Sequence, residues 1–531
     1  MPAFMRRLSA AHPDLDFIVT PDGRMTYGQA ERWSGRLAKA LLARGAGKGT
    51  RVAFMFGNGP EWVVTFVAIA RIGALAMPLS TLYRPAELRT TLRVGDVDTL
   101  IVPPRLMGND QLAFLEEALP SLVGATAPLR LSESPYLRSL LVAGPTDRGW
   151  ADSVVVCPVK DSPASAGGDG DIGDDFLTAV EAEVHPADPM MVIFTSGATA
   201  QPKGVVHTHG CWVRHTANVA DATDTPFDQR LLCGLPFFWI GGVSTALGVS
   251  MQRRTTLLCT EKFDPEGAMA LVERERPTGI MMMPGLLDRL RAYAAANGGT
   301  LPLPGAGSPG DGRRRGAQLG MTETCAAYIV NGREGQFIPP EHADAHGFRV
   351  PGMQYRIADL ETGETLPEGA EGEICVRGYN LTVGMCKRER HEIYDDDGWY
   401  HTGDKGILRG PYITFTGRAK DLIKSAGANV APREVEVLLD ADPGVLMSVV
   451  VGVPDRVREE LVGAVLIPVA GVELDPATVI RKAGRDLSAY KVPRRVLVLA
   501  EHDVPYLATG KPDRNRIRDL LLAEGVDVAS S

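Results

Sequence analysis

Residues 193–204, IFTSGATAQPKG, follow an apolar stretch and bring three hydroxyls (Thr195, Ser196, Thr199), Gly197, Gly204 and one lysine, Lys203, into a turn-prone segment. Glycine lets backbone N–H groups approach anionic oxygens, hydroxyls add donors, and an ammonium adds a point charge, so the set suits phosphate. It is not a Walker loop: Pro202 precedes the lysine and Gly204 follows it, where Gly-Lys-Ser/Thr is needed. An ordinary Ser/Thr/Gly surface turn has the same composition. What separates the two readings is the company the segment keeps along the chain.

That company is an ordered series. MTYGQAERWSGRLAKALLARGAGKGTRVAFMFGN (25–58) and ARIGALAMPL (70–79) precede the segment. LPFFWIGG (235–242), GMTET (320–324), GEICVRG (372–378), DGWYHTGD (397–404), TGRAKDLIKSAGANVAPREVE (416–436), AYKVPRRV (489–496) and ATGKPDR (508–514) follow it. The series resembles the adenylate-forming (AMP-binding) superfamily, in its acyl-CoA synthetase or fatty-acid-CoA ligase branch. The resemblance runs along almost the whole chain.

The resemblance implies activation of a carboxylic acid by ATP, through an acyl-AMP intermediate, followed by transfer to CoA with release of AMP and pyrophosphate. Thr195, Ser196, Gly197, Thr199 and Lys203 then belong to the loop that handles the β- and γ-phosphates. Thr322 and Glu323 meet the α-phosphate and Mg2+; a carboxylate is a natural hard-oxygen ligand, and Glu323 with Thr195 makes up the expected metal set. Asp404 accepts hydrogen bonds from the ribose hydroxyls and Arg418 reaches the same sugar. Lys511 enters the site during adenylation, where an ammonium stabilises the charge that develops as carboxylate attacks phosphate. Lys420 matches the hinge about which the small domain turns between half-reactions, and Gly427 lines the CoA approach. Trp239 and Gly241 border the acyl pocket. The implied domains are 1–417 for ATP and acid, 418–422 for the hinge and 423–531 for the mobile part.

These residues need a scaffold, and hydrophobic spacing supplies one. Ala30, Trp33, Leu37 and Leu41 recur at helical spacing before RVAFMF, which reads as a strand. Pro60 opens a further helix, and strands at 254–260 and 279–283 alternate with helices at 265–275 and 286–296. Such alternation predicts an α/β chain with helix-covered parallel sheets in a large, multi-lobed N-terminal domain. After 417 the pattern shortens: helices at 432–439 and 476–487, strands near 447–453 and 461–469, then RRVLVLA. This is a small, mobile α+β C-terminal domain.

Composition narrows the function classes. With 531 residues, 44% apolar and 23% charged, the chain is globular and long enough for several lobes. A net charge of -9 excludes a surface that gathers nucleic acid by counterion release. The stretch 62–83 is broken by Arg71, Gly73 and Pro78 and does not read as a transmembrane segment. Seven scattered cysteines without a CxxC pair predict a reducing, cytoplasmic setting. Partners are then small molecules, namely the acid, ATP and CoA, with a homodimer compatible with this class.

Three departures from the family pattern stand out. Ala198 and Ala200 replace a hydroxyl residue and a glycine in the phosphate loop, and Leu319 replaces an aromatic beside adenine. Residues 297–318 are Gly/Pro-rich where the family fits a strand, an adenine segment, a helix and another strand. Gly305, Ala306 and Pro309 imitate the adenine segment, but a helix and two strands cannot be drawn from the rest, and no site is assigned there. An acyl-AMP ligase serving a carrier protein and a non-catalytic adenylate-binding paralogue are the alternatives.

Overall fold

The computed structural model describes residues 1–157, 172–195, 202–301, 316–333, 335–418, 423–425, 428–430, 432–456, 459–487, 491–507 and 511–528. The chain divides into two compact units. The first comprises Met1–Ala343, Gly347–Met353 and Arg377–Gly398; the second comprises Asp344–His346, Gln354–Val376 and Trp399–Ser531.

Two sheets organise the first unit. One has the order Gly279–Met281, Arg230–Cys233, Thr256–Leu258, Asp16–Val19, Arg24–Thr26, parallel except for its last pair. The other runs Gly384–Met385, Lys203–Thr208, Pro189–Thr195, Leu75–Pro78, Arg51–Phe54, Thr99–Val102, Ser139–Ala143, Asp152–Val154. From Pro189–Thr195 to Asp152–Val154 it is parallel. Leu75–Pro78 and Thr99–Val102 are buried at every position, as strands covered on both faces must be. The expected parallel sheets are present, but the strand that carries Lys203 is antiparallel to its neighbour.

The helices start where the sequence provides caps. Thr26 and Gln29 form a reciprocal capping box that opens Tyr27–Ala43, and Asp264 caps Pro265–Glu275 through the Gly267 N–H at 2.7 Å. Pro60–Arg71 is buried from Trp62 onward. Its single buried charge, Arg71, is matched by Glu181 Oε1 at 2.5 Å and Glu31 Oε1 at 2.8 Å, as burial of a guanidinium requires. Boundaries differ in small, explicable ways. The strand expected over 254–260 begins at Thr256 because Arg254 takes a left-handed φ of 56° and forks onto both oxygens of Asp228. The helix expected from 286 begins two residues earlier, at Pro284.

LPFFWIGG leads into a π-helix, Gly241–Gly248, a geometry that is rare and often found at functional positions. Asn58 holds the approach by accepting from the Phe237 N–H and donating to the Leu235 carbonyl, both at 2.8 Å.

The second unit is α+β. Tyr412–Arg418, Tyr400–Arg409, Glu371–Gly378 and Met353–Ala358 are neighbours in that order. A second sheet has the order Ala428–Val430, Ile423–Ser425, Glu459–Pro468, Arg495–Val498, Val526–Asp527, with Val445–Asp455 also on Glu459–Pro468. Pro432–Asp440, Pro476–Ala483 and Arg514–Glu524 are its helices. Among the described residues no helix is long and apolar enough to cross a membrane.

Gly242 sets the entry to the π-helix, because a Cβ there would stand 1.9 Å from the Pro236 carbonyl oxygen. Gly242→Ala should therefore destabilise the chain by about 2 kcal/mol, the order of core overpacking. The midpoint of chemical unfolding checks this; an unchanged midpoint would show that the Pro236 turn yields freely.

Candidate active site

Thr195 and Lys203 face each other. They are register partners at the end of an antiparallel strand pair that adjoins residues 196–202, and the ladder continues through Phe194↔Gly204 and Ile193↔Val205. Lys203 is thus the first residue of a strand, whereas the sequence suggested a loop position. Both residues are half-buried. Ser196, Gly197 and Thr199, with Ala198 and Ala200, lie outside the described residues. Gly204 leaves no space: an added Cβ would meet Cys386 Sγ at 2.8 Å and Phe194 and Val192 at 3.0 Å.

The same strand reaches the second motif. His207, fully buried, lies 2.7 Å through Nε2 from the Thr322 carbonyl. Thr322–Thr324 is a single 3-10 turn after the short strand Leu319–Met321. Two further bonds secure it: the Thr382 N–H donates to the Glu323 carbonyl at 2.8 Å, and Asn380 Nδ2 donates to the Thr324 carbonyl at 2.9 Å. Tyr394 OH donates in turn to the Thr382 carbonyl. The backbone of Glu323 is fixed while its side chain stays half-exposed, which leaves the carboxylate available to a hard cation. Trp239 is half-buried and packs edge-on to Phe238 with ring centroids 5.6 Å apart; Gly241 begins the π-helix beyond it.

In the second unit Asp404 and Arg418 are cross-strand partners. Asp404 is 1% exposed and Arg418 49%, with Nε 3.0 Å from Oδ1. Glu373 builds the turn before them, accepting from the Gly403 N–H at 2.8 Å and lying 2.7 Å from His401 Nδ1. Lys511 is exposed, and its carbonyl accepts from the Leu507 N–H at 2.8 Å beside an antiparallel bridge between Tyr506 and Pro512. Lys420 and Gly427 lie outside the described residues, as do Gly305, Ala306 and Pro309.

A family model described as AMP-binding enzyme matches residues 5–308 and 311–385, and one described as AMP-binding enzyme C-terminal domain matches 434–511. The chain belongs to the AMP-binding enzyme family. It is 30% identical to an indoleacetate–CoA ligase of Aromatoleum aromaticum over 97% of both chains. It is 29% identical to a feruloyl-CoA synthase of Amycolatopsis, over 89% of each. Among solved structures, ATP-bound MatB from Rhodopseudomonas palustris is similar with a TM-score of 0.74 at 26% identity, over 98% of this chain and 99% of that one. The amide bond synthetase McbA from Marinactinospora thermotolerans gives 0.75 at 25%, over 97% and 99%. These relatives place this AMP-binding enzyme in the acyl-CoA synthetase branch.

Sequence reading missed the residues that support the candidate site: His207, Asn58, Asn380, Thr382 and Glu373. Each lies inside or beside a quoted motif, yet each acts through a backbone group far away in sequence, and spacing carries no trace of that. Burial also keeps three histidines of the first unit neutral, pulling His207 down to about 4 and His209 and His215 to about 3. Unfolded, such rings titrate near 6.5, so below that pH the unfolded chain binds more protons and stability rises with pH across the window. Acidification from pH 6.5 to 5 should thus weaken the fold by about 1.4 kcal/mol per pH unit for each ring. His207→Gln should shallow the histidine contribution to that slope by about one third, read from urea unfolding at stepped pH.

Proposed function

We propose that the protein activates a carboxylic acid with an apolar body, fatty or aryl, and transfers it to CoA. In the first half-reaction a carboxylate oxygen attacks the α-phosphorus of ATP, and pyrophosphate leaves with the electron pair of the broken P–O bond. In the second, the CoA sulfur attacks the acyl carbonyl carbon, AMP leaves, and the thiol proton is lost.

The observation that carries this reading is the fixed mouth of the phosphate loop: Thr195 opposite Lys203, on the strand whose His207 holds the Thr322 carbonyl. Lys203, Thr195 and the hydroxyls of Ser196 and Thr199 then take the β- and γ-phosphates. Thr322 and Glu323 face the α-phosphate. Glu323 and Thr195 offer hard oxygen donors that suit Mg2+, and bound magnesium supplies neutralisation of phosphate charge. Asp404 accepts from the ribose hydroxyls and Arg418, already paired to it, reaches the same sugar. The exposed Lys511 brings its ammonium to the developing negative charge during adenylation. Residues 418–422, with Lys420, are the hinge between 1–417 and 423–531, and after rotation Gly427 lines the CoA approach. Trp239 and Gly241 border the acid, and the aromatic and polycyclic acids in the relatives' names support a pocket for a bulky apolar group. All seven cysteines are unpaired, which supports a reducing, cytoplasmic setting.

The amide bond synthetase shares this fold at a TM-score of 0.75, so the acceptor is the second quantity to test. Pyrophosphate release is measured with ATP, magnesium and a panel of fatty and aryl acids, each with and without CoA. Acid-dependent release that CoA accelerates, with acyl-CoA formed, is the expected result; release with an amine but not CoA would reassign the acceptor, and silence across the panel would refute turnover.

Two variants separate the roles. Lys511→Ala should lower adenylation by about 100-fold or more while sparing thioester formation from supplied acyl-AMP; equal loss in both half-reactions would overturn its role. Asp404→Asn should raise the KM for ATP by roughly 10- to 100-fold, the worth of a charge-assisted hydrogen bond, with kcat changed less.

A further inference from the structure

Three soft ligands meet beside the Thr322–Thr324 turn, and none of them is given a substrate, nucleotide or magnesium to hold in adenylation. His207, Cys211 and Cys325 are 0%, 5% and 0% exposed, and one ligand atom from each lies within 4.8 Å of the other two. Three different pieces of backbone deliver them. His207 is near the end of the strand Lys203–Thr208. Cys211 sits in the first turn of the helix His209–Ala222, where its N–H donates to Thr208 Oγ1 at 3.1 Å. Cys325 follows the 3-10 turn with a left-handed φ of 59°, a conformation that non-glycine residues adopt only when their surroundings impose it.

The imidazole is oriented for coordination. Its Nε2 is 2.7 Å from the Thr322 carbonyl, which can only accept, so Nε2 bears the hydrogen. Nδ1 of the neutral ring then presents a lone pair, 3.7 Å from Cys211 Sγ. Burial keeps the ring neutral, its pKa pulled down to about 4. A backbone carbonyl fixing the tautomer of a histidine is the usual way proteins aim a ligating nitrogen. The buried Ser244 hydroxyl, 3.7 Å from Cys325 Sγ, adds a further polar group.

We propose that His207 Nδ1, Cys211 Sγ and Cys325 Sγ form a binding site for a thiophilic divalent d10 cation of the zinc and cadmium class, separate from the magnesium that accompanies ATP. Charge favours this class: a divalent ion, two thiolates and a neutral imidazole sum to zero, so the assembly is buried without net charge. Sulfur ligands exclude magnesium. Bonds of about 2.3 Å to sulfur and 2.0 Å to nitrogen require the three atoms to draw inward by roughly 1 Å. Binding releases the two thiol protons to solvent and moves no electrons. It ties strand, helix and turn together behind Glu323. Because the ligands are closed to solvent, loading follows local opening and is slow.

The test uses the full chain, kept reduced, with the two half-buried cysteines changed by Cys157→Ser and Cys386→Ser. After prolonged incubation with cadmium, one equivalent should give the ultraviolet sulfur-to-cadmium charge-transfer band and raise the thermal unfolding midpoint. Affinity should tighten by about 100-fold per pH unit while both thiols remain protonated, because two protons leave. Zinc should compete, and Cys211→Ala or Cys325→Ala should lose both signals. Cadmium-edge X-ray absorption on the unsubstituted cluster, which depends on no folding of the alanine variants, should show two sulfurs and one nitrogen. A shell lacking that set, no band at one equivalent, or signals undiminished in both alanine variants would overturn the site. None of these readouts depends on acid activation.

Discussion

The hydrogen bond from His207 to the Thr322 carbonyl is the joint on which this half of the candidate site depends. It lets one strand do two jobs. The end near Lys203 pairs in register with Thr195, and the end near His207 fixes the turn that presents Glu323. A one-residue slip in this hairpin would send every side chain to the opposite face, taking His207 away from Thr322 and Lys203 away from Thr195 together. The slip is opposed by packing as well as by the ladder. Gly204 is pressed between Cys386, Phe194 and Val192, so neighbouring residues of the strand cannot occupy its place.

The strand pair that carries Asp404 and Arg418 is organised by a different device. Glu373 reaches across its strand pair to the Gly403 N–H and His401, and Thr402 Oγ1 donates to the Ile374 carbonyl at 2.6 Å while accepting from the Asp404 N–H at 3.0 Å. Gly403 takes a φ of 71°, open to glycine with little strain. The turn therefore sets a nearly buried carboxylate beside a half-exposed arginine, and the two pair across the strands. Polar side chains of Glu373 and Thr402 secure the backbone on either side of Gly403.

The sequence made the class of fold and most of the charged ligands legible, because both are carried by local patterns. The helix expected over 265–275 is the one observed, Pro265–Glu275. Lys203, Glu323, Asp404, Arg418 and Lys511 were visible as members of ordered motifs. What stayed hidden is what acts at long range. Nothing in VVHTHG says that its first histidine accompanies a carbonyl 115 residues later, and nothing in LPFFWIGG announces a π-helix. The antiparallel placement of Lys203 was hidden for the same reason, since strand direction is decided by the partner and not by the strand.

The short stretch between 297 and 318 bears on whether the site can still work. The helix Pro284–Ala296 ends just before it, the next described strand begins at Leu319, and the family match itself skips 309–310. If Thr322 and Glu323 were held by that stretch, a departure there would loosen the metal and α-phosphate end of the site. They are held from elsewhere. His207, Thr382 and Asn380 secure three consecutive carbonyls, those of Thr322, Glu323 and Thr324, and Leu319 pairs with Ile329 on the downstream side. Each support belongs to a described segment outside 302–315. Such a departure therefore leaves the backbone that carries Thr322 and Glu323 held by the same partners.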